Sequence, residues 1–261
     1  MWQYSTLSLC GHLIVYKSLK EVIMFSAKPS FDVLDEHATI WRYMDFTKFV
    51  SLLGKKALYF TRSDRFSDKF EGAIPKPTVE AREALVLGLE STLAEETLRV
   101  MSQGSQEVRK WIFLNCWHMN SNESAAMWQL YVQKNEGIAI RSTFARLRDS
   151  LSSHDMLIGM VNYIDYDRTM IPYGNAFHAL FCKRRSFEHE HELRAAILKP
   201  SNLKDLQPGL YIPCDLDILI DEIFVSPASP NWFKELVSSM LEKYSIDKEA
   251  KRSNLDEDPL Y

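Results

Sequence analysis

Charged and histidine side chains alternate through Phe187–Arg194, which reads FEHEHELR. If this segment is an extended strand, its three glutamates and Arg194 share one face and its two histidines share the other. Carboxylates at alternate strand positions lie roughly 6 to 7 Å apart. Their repulsion rises from about 0.6 kcal/mol in water to about 2.5 kcal/mol at an effective dielectric of 20. Within a cleft, Glu190 and Glu192 are therefore candidates for a raised pKa and for acid or base catalysis, with Arg194 offsetting part of the repulsion.

Two other interpretations of this segment stay open. A solvated edge strand carries charges that prevent aggregation and needs no chemistry. A metal site is the second, because an HxH pair on one strand face is common among metal ligands. The sequence offers His118, His154 and His178 as further ligands, but no HExxH or Cys/His spacing accompanies them. We therefore predict no metal ligands.

The candidate anion-binding residue is an arginine that precedes the first predicted core helix. Arg42 stands between Trp41 and Tyr43, and on a strand the two aromatic side chains share one face while Arg42 points to the other. Its planar guanidinium suits a phosphate or a carboxylate. The alternative is a surface arginine lying over apolar neighbours. Arg62 and Arg65 follow the next predicted strand and would add positive charge there.

The elements that position these side chains follow from changes in the hydrophobic period. Asp45 is predicted as the N-cap of a helix that stops after Gly54 and leads into a strand. The charged stretch at about 78–110 predicts a helical insertion of two helices broken near Gly104. Strands and helices then alternate to the C-terminal helix, which indicates an α+β fold.

The predicted organisation is one α+β domain at residues 39–247. Its core is a mixed or antiparallel β-sheet with peripheral helices and the helical insertion. An N-terminal extension at residues 1–38 precedes the domain, and its first part is either an upstream segment with little role or a packed first helix. A polar tail at 248–261 follows the domain.

The composition narrows the class of protein. The chain has 261 residues, of which 46% are hydrophobic, and a formal net charge of −4. A buried core is expected, and the basic stripe of a general nucleic-acid binder is missing from the sequence. Four widely spaced cysteines without a CxxC pair are typical of reduced thiols. The N-terminal apolar run is too short to span a bilayer and follows no basic region. We therefore expect a cytoplasmic protein without membrane association.

Several segments together resemble a large bacterial family catalogued as domain of unknown function 2971. They are, in order, WRYMDF, ALYFTRSDRFSDKFEG, FLNCWHMNSNESAAMWQLYVQKNEGIAI, FEHEHELRAA and IDEIFVSP, between about Thr39 and Ile246. The residues that match the family pattern are Phe66, Asp68, Phe70, Glu71, Gly72, Cys116, Met127, Trp128, Tyr131, Gly137, Glu190, Glu192 and Arg194. Ser67, Lys69 and Phe187 replace the usual asparagine, proline and tryptophan, and two of these departures lie in the loop before Gly72.

A second resemblance, to ADP-ribosyltransferases, implies site residues. An early-strand arginine, a helix leading to a Tyr-Phe-Thr-x-Ser strand and a late Glu-x-Glu strand follow the order of parts in those enzymes. By this resemblance Arg42 would bind the phosphates of NAD, and Thr61 or Ser63 would brace the site. Glu192 would be catalytic, and Glu190 would assist the acceptor.

The same resemblance implies a chemistry and partners. A split core sheet would hold NAD as substrate, with the nicotinamide stacked on an aromatic ring such as Tyr131 or Trp128. A carboxylate would stabilise the positive charge that develops at the anomeric carbon. ADP-ribose would pass to a macromolecular acceptor, protein or nucleic acid, as in a toxin or anti-phage effector with an antitoxin or defence partner.

Three functions therefore stay open, and the positions of the candidate residues in the fold distinguish them. An ADP-ribosyltransferase or NAD glycohydrolase requires Arg42 and Glu192 in one cleft. A non-enzymatic nucleotide or nucleic-acid recognition module of a defence system, using Arg42, Arg62 and Arg65, can leave them apart. A metal-dependent hydrolase needs at least three converging ligand atoms.

Overall fold

The structure is a computed structural model that describes residues 35–132, 135–172, 176–200, 206–257 and 259–260. The N-terminal extension predicted at residues 1–38 lies almost wholly outside the described residues. Residues 35–38 form a turn that leads into the first strand.

The chain alternates between strands and helices, as the sequence predicts. The strands are β1 (Thr39–Asp45), β2 (Ala57–Arg62), β3 (Ile112–Met119), β4 (Gly137–Thr143), β5 (Leu157–Met160), β6 (Asn162–Ile164), β7 (Cys182–Arg184), β8 (Glu192–Leu198), β9 (Gly209–Pro213), β10 (Glu222–Val225) and β11 (Ala250–Arg252). The helices are α1 (Phe46–Lys55), α2 (Lys76–Leu85), α3 (Ser91–Val108), α4 (Ala125–Tyr131), α5 (Phe144–Ser150), α6 (Ala176–Leu180), α7 (Leu216–Leu219) and α8 (Asn231–Lys243). Short 3-10 helices cover Ser63–Arg65, Arg185–Glu190 and Asn254–Asp256.

One nine-stranded sheet organises the molecule. Its neighbours run β11, β10, β4, β1, β3, β2, β9, and β8 and β5 continue from β3. The described pairings in it are antiparallel except for β10 with β11, which is parallel. A separate parallel pair joins β6 to β7. A mostly antiparallel sheet with several helices confirms the predicted α+β class.

The sheet opens on one edge of β3. Strand β8 pairs with β3 along its whole length, from Ile112 to His118. On the opposite edge, β1 pairs with β3 only at the C-terminal end of β3, where Trp41 faces His118. Strand β2 pairs with β3 only near the N-terminal end of β3, where Thr61 faces Leu114. Residues 115–117 of β3 therefore face a gap between β1 and β2.

The largest apolar cluster covers one face of this sheet. Helices α1, α5 and α8 pack against it through Phe49, Leu147 and Phe233, so the burial of large side chains holds them in place. The side chain of Asp45 accepts a hydrogen bond from the Lys48 amide at 2.8 Å, which confirms the predicted N-cap of α1.

The two predicted insertion helices lie between β2 and β3, but the break between them is not at the predicted position. Helix α3 continues through Gly104, and the chain turns instead near Gly88, whose φ is +90°. Glycine adopts that left-handed backbone without a steric penalty, whereas an isolated glycine within a helix costs only about 1 kcal/mol. Within the described ranges, no helix is both long and apolar enough to cross a membrane.

Two segments differ from the sequence-based expectation. The FEHEHELR segment is not one strand: Arg185–Glu190 is a 3-10 helix, and β8 begins only at Glu192, after a left-handed turn at His191 with φ of +38°. Glu188, Glu190 and Glu192 therefore do not share one strand face. The sheet also crosses the boundary predicted at residue 247, because buried Ala250 begins β11 beside β10.

Candidate functional site

A cleft of about 650 Å³ occupies the gap in the sheet. Its walls come from β1, β2 and β3, and from Lys183, Phe187, Glu190 and Glu192 near the start of β8. A cavity of this volume is within the usual range for a small-molecule site.

Arg42 lines this cleft and has no ionic partner among the residues that the structure describes. Its Nη1 donates to the main-chain carbonyl of Cys116, at 3.3 Å, in the unpaired part of β3. Its guanidinium lies 5.7 Å from the centre of the Trp117 ring, and no described carboxylate forms an ion pair with it. Burial lowers the pKa of Arg42, which reflects the cost of holding a cation away from water. An anionic ligand would offset that cost.

Arg194 is the opposite case, because the protein uses all of its donors. Its Nε and Nη2 donate to Glu192 at 2.7 and 3.0 Å. Its Nη1 and Nη2 donate to Glu71, the latter at 2.9 Å, and Nη1 also donates to the Leu180 carbonyl. The side chain is fully buried. All five N–H groups are thus committed, and none is left for a ligand.

Glu192 is fixed as an anion by this network. Its Oε2 also accepts from Lys183 at 3.1 Å, and the Cys116 thiol hydrogen-bonds to it. Burial would raise the pKa of Glu192, but Arg194 and Lys183 outweigh burial and lower it to about 2. Glu192 therefore stays ionised near neutral pH and cannot act as a general acid there.

Glu190 reaches the cleft from the end of the 3-10 helix. One carboxylate oxygen accepts from Lys183, and the other makes no hydrogen bond to any described residue. Glu192 and Glu190 together hold the pKa of Lys183 above its ordinary value, although burial opposes them. Of the two predicted catalytic glutamates, Glu190 is the one with an oxygen available to a ligand.

The buried cluster as a whole carries an excess of one negative charge. It contains three carboxylates, Glu71, Glu190 and Glu192, and two cations, Lys183 and Arg194. Burial raises the pKa of Glu71 despite the guanidinium beside it.

The other predicted site residues divide between the cleft and the protein interior. Thr61 and Tyr131 line the cleft, and Tyr131 is 48% exposed at the end of α4. Ser63 is fully buried and donates to the Arg109 carbonyl at 2.6 Å, outside the cleft lining. Trp128 is also in the interior, packed edge-on against Tyr43 at 5.0 Å.

The two arginines after β2 do not add charge to the cleft lining. Arg62 is buried and pairs with Asp64 at 2.6 Å, and Arg65 is exposed. Arg42 is thus the predicted anion-binding arginine that the structure places in the cleft.

The loop between β2 and α2 packs over the same cluster. The Phe66 ring lies 6.0 Å from the guanidinium of Arg194. Asp68 accepts from Arg184 at 2.7 Å, and Arg184 lies 4.7 Å from the Phe70 ring. The loop therefore supplies one wall of the cleft and holds the segment that carries Glu190.

Two interpretations of FEHEHELR find no support in these contacts. Strand β8 pairs with β3 on one side and β5 on the other, so its Leu193–Ala196 stretch is interior and not an edge. Across the described ranges, no group of three or more histidine, cysteine or acidic side chains is arranged to hold a metal ion. The metal-hydrolase alternative therefore lacks a ligand set there.

Three contributors to the site were not predicted from the sequence. Lys183, Glu71 and His118 all line the cleft. Glu71 matches the family pattern, and the sequence suggests His118 as a possible metal ligand or as a neighbour of Cys116. Lys183 carries no motif signal, because its partners lie seven and nine residues away across a turn.

A scan of the chain against models of protein families finds no matching family, and a search among curated proteins finds no match. The resemblances to the family of domain 2971 and to ADP-ribosyltransferases stay predictions.

Proposed function

We propose that the protein binds NAD in the cleft between β1 and β2 and cleaves its bond to nicotinamide, passing ADP-ribose to a macromolecular acceptor or to water. The observation that carries this proposal is the placement of an unpaired guanidinium, Arg42, and a partly free carboxylate, Glu190, in one cleft. In this proposal, Arg42 binds the phosphates of NAD, and Glu190 faces the ribose that becomes cationic during the reaction.

The binding half of the proposal rests on Arg42. A desolvated guanidinium with a single long hydrogen bond has donors left for a phosphate. Thr61 offers a hydroxyl from the facing strand, and Tyr131 offers an exposed ring on which a flat heterocycle can stack. All three are within the cleft lining.

The catalytic half rests on Glu190. Breaking the bond between ribose C1′ and the nicotinamide nitrogen builds positive charge on the ribose. A nearby carboxylate stabilises that charge, and it acts more strongly in a site with little water. Glu192, saturated by Arg194 and Lys183, keeps Lys183 in place beside Glu190 and is a positioning residue.

The test is nicotinamide release from NAD by the wild-type protein and by Glu190→Gln, with cell lysate as a source of acceptors. We expect wild-type activity and a loss of roughly 100-fold or more in kcat for the variant, with NAD still bound. Glu188→Gln is the matched control, because Glu188 is exposed on the same 3-10 helix and is not part of the cleft lining. Equal release by wild type and Glu190→Gln would contradict the assigned role.

A second candidate is a nucleotide-recognition module without catalysis. The observation that favours it is the cation pairing of both glutamates, which reduces the negative potential in the cleft. The same assay separates the two functions. NAD or ADP-ribose binding that requires Arg42, with no nicotinamide release by folded wild-type protein, would favour recognition alone.

A further inference from the structure

A buried histidine in the cleft has a defined tautomer and a free acceptor. The Nδ1 of His118 lies 2.6 Å from the main-chain carbonyl of Glu190. A carbonyl only accepts, so Nδ1 must carry the hydrogen, and Nε2 presents a lone pair. Nε2 is buried and has no hydrogen-bond partner among the residues that the structure describes.

The position of His118 relates it to both glutamates. On β3 it faces Glu192 across an antiparallel pair, so the two Cβ atoms lie about 4.5 to 5.5 Å apart. Its hydrogen bond to the Glu190 carbonyl fixes the ring against the residue that carries the proposed catalytic carboxylate. The imidazole is thus anchored to the main chain of Glu190, next to Glu192 on the paired strand, and His118 lines the cleft.

The surroundings keep this ring neutral. Burial lowers the pKa of His118, and the neighbouring His191 and His189 lower it further, while Glu190 opposes them. The Tyr43 and His191 rings pack against it at 6.3 and 6.2 Å. A neutral imidazole with an unused lone pair is able to accept a proton at neutral pH from a hydroxyl that comes into contact with Nε2.

We propose, on the basis of the NAD-cleaving function above, that His118 is the general base for the attacking hydroxyl, either water or a hydroxyl group of the acceptor. As the hydroxyl oxygen bonds to ribose C1′, the C1′–nitrogen bond breaks and its electron pair stays on neutral nicotinamide. The hydroxyl proton moves to Nε2, which makes His118 an imidazolium. That proton then passes to solvent, so the reaction releases one proton for each NAD consumed.

Two other groups in the cleft, Glu192 and Cys116, are less suited to this role. Both oxygens of Glu192 already accept hydrogen bonds from Arg194. Burial raises the pKa of the Cys116 thiol well above its ordinary value, so the thiolate is scarce. A hydroxyl acceptor requires such a base, because its oxygen must lose a proton as the bond to C1′ forms.

The experiment compares the pH dependence of nicotinamide release for wild type, His118→Gln and His118→Ala. In wild type we expect kcat to fall on the acid side as His118 is protonated. In the variants we expect a loss of about 100-fold or more in kcat, a KM for NAD changed by less than about 3-fold, and no acid limb of this origin. Added imidazole should partly restore His118→Ala. His154→Gln is the control, because His154 is half-buried and lies outside the cleft lining.

The outcomes separate the two proposals. An active wild type with equally active, equally pH-dependent His118 variants overturns the role of His118 alone. A folded wild type that binds NAD without releasing nicotinamide overturns the cleavage function, and this role with it. If the variants do not fold, ¹⁵N NMR of the wild-type histidines still decides: a protonated ring or an Nε2–H tautomer at pH 7 overturns the proposal.

Discussion

Two arginines of the cleft region show how differently the same side chain can be used. Arg194 donates all five of its N–H groups to protein acceptors. Arg42 makes one hydrogen bond, at 3.3 Å, and no ion pair with a described residue. Breaking a buried, fully paired ion network costs about 3 to 5 kcal/mol, whereas Arg42 is partly buried, and removing its unpaired charge removes a desolvation cost. Arg194 therefore has a structural role, and Arg42 is the arginine with donors left for the proposed ligand.

The first consequence concerns Arg42→Gln. We expect binding of NAD or ADP-ribose to weaken by roughly 10- to 100-fold, which corresponds to one charge-assisted hydrogen bond of about 1.5 to 3 kcal/mol. We expect no loss of thermal stability, because the variant buries less charge. Calorimetric titration and a melting curve measure the two effects. Arg65→Gln, an exposed arginine after the neighbouring strand, is the control. A lower melting temperature with unchanged affinity would show that Arg42 is structural.

The sequence indicates the types of residue in the site better than their roles. It identifies Arg42, Glu190, Thr61 and Tyr131, all of which line the cleft. It does not reveal that Arg194 is saturated, because the partner Glu71 is 123 residues away. Nor does it show that Ser63 points into the interior. Such pairings depend on strand register, which local patterns do not contain.

At the scale of elements, predictions succeed where local rules decide and fail where tertiary contacts do. The N-cap of α1 is a local signal, and it is confirmed. Alternating charges predict a strand over FEHEHELR, but the first part is a 3-10 helix whose Phe187 ring lies 4.8 Å from the Lys183 ammonium. Lys183 is attracted both to Glu190 and to this ring, and that attraction outweighs the weak strand preference of Glu and His.

A glycine in the cleft loop provides a test at this scale. Gly72 has φ of +67°, and an added Cβ would lie 2.7 Å from Leu180 Cδ2. Gly88 also has positive φ, +90°, but an added Cβ there meets nothing within 4 Å. Both alanine substitutions should carry the left-handed penalty of about 1 to 2 kcal/mol. We expect Gly72→Ala to cost more, by the steric clash beside Glu71.

Urea unfolding of the two glycine variants measures this difference directly. Gly88→Ala serves as the matched control for backbone strain. Equal destabilisation by the two substitutions would mean that Leu180 moves aside freely and that the loop is not tightly packed on the Arg194 cluster.

At the scale of the whole molecule, the buried cluster predicts how stability depends on pH. The pKa of Glu192 falls from 4.5 to about 2 on folding, so its stabilising contribution is complete above pH 4.5 and is lost as the pH falls towards 2. This shift corresponds to about 3 kcal/mol. The raised pKa of Glu71 has the opposite effect on stability: it lowers the free energy of unfolding as the pH rises above 4.5. Below pH 4.5, the Glu192 contribution dominates this cluster.

Glu192→Gln tests this linkage. At pH 7 we expect a loss of about 3 to 5 kcal/mol in the free energy of unfolding, because Arg194 and Lys183 lose their shared anion. Between pH 4.5 and 2 the variant should lose less further stability than wild type. Denaturant unfolding at a series of pH values measures both, with Glu188→Gln as the control. Parallel curves for wild type and Glu192→Gln would contradict the predicted linkage.

The gap in the sheet also has a mechanical consequence. The strands β11, β10, β4 and β1 form one leaf of the sheet, and β2 and β9 form another. In the described main-chain pairing, the two leaves are joined only through β3, at its opposite ends. A sheet joined in this way twists more easily about β3 than a continuous one. A ligand that contacts Arg42 on one leaf and Thr61 on the other would connect them across the opening. We therefore expect a ligand in the cleft to make the sheet stiffer than it is in the free protein.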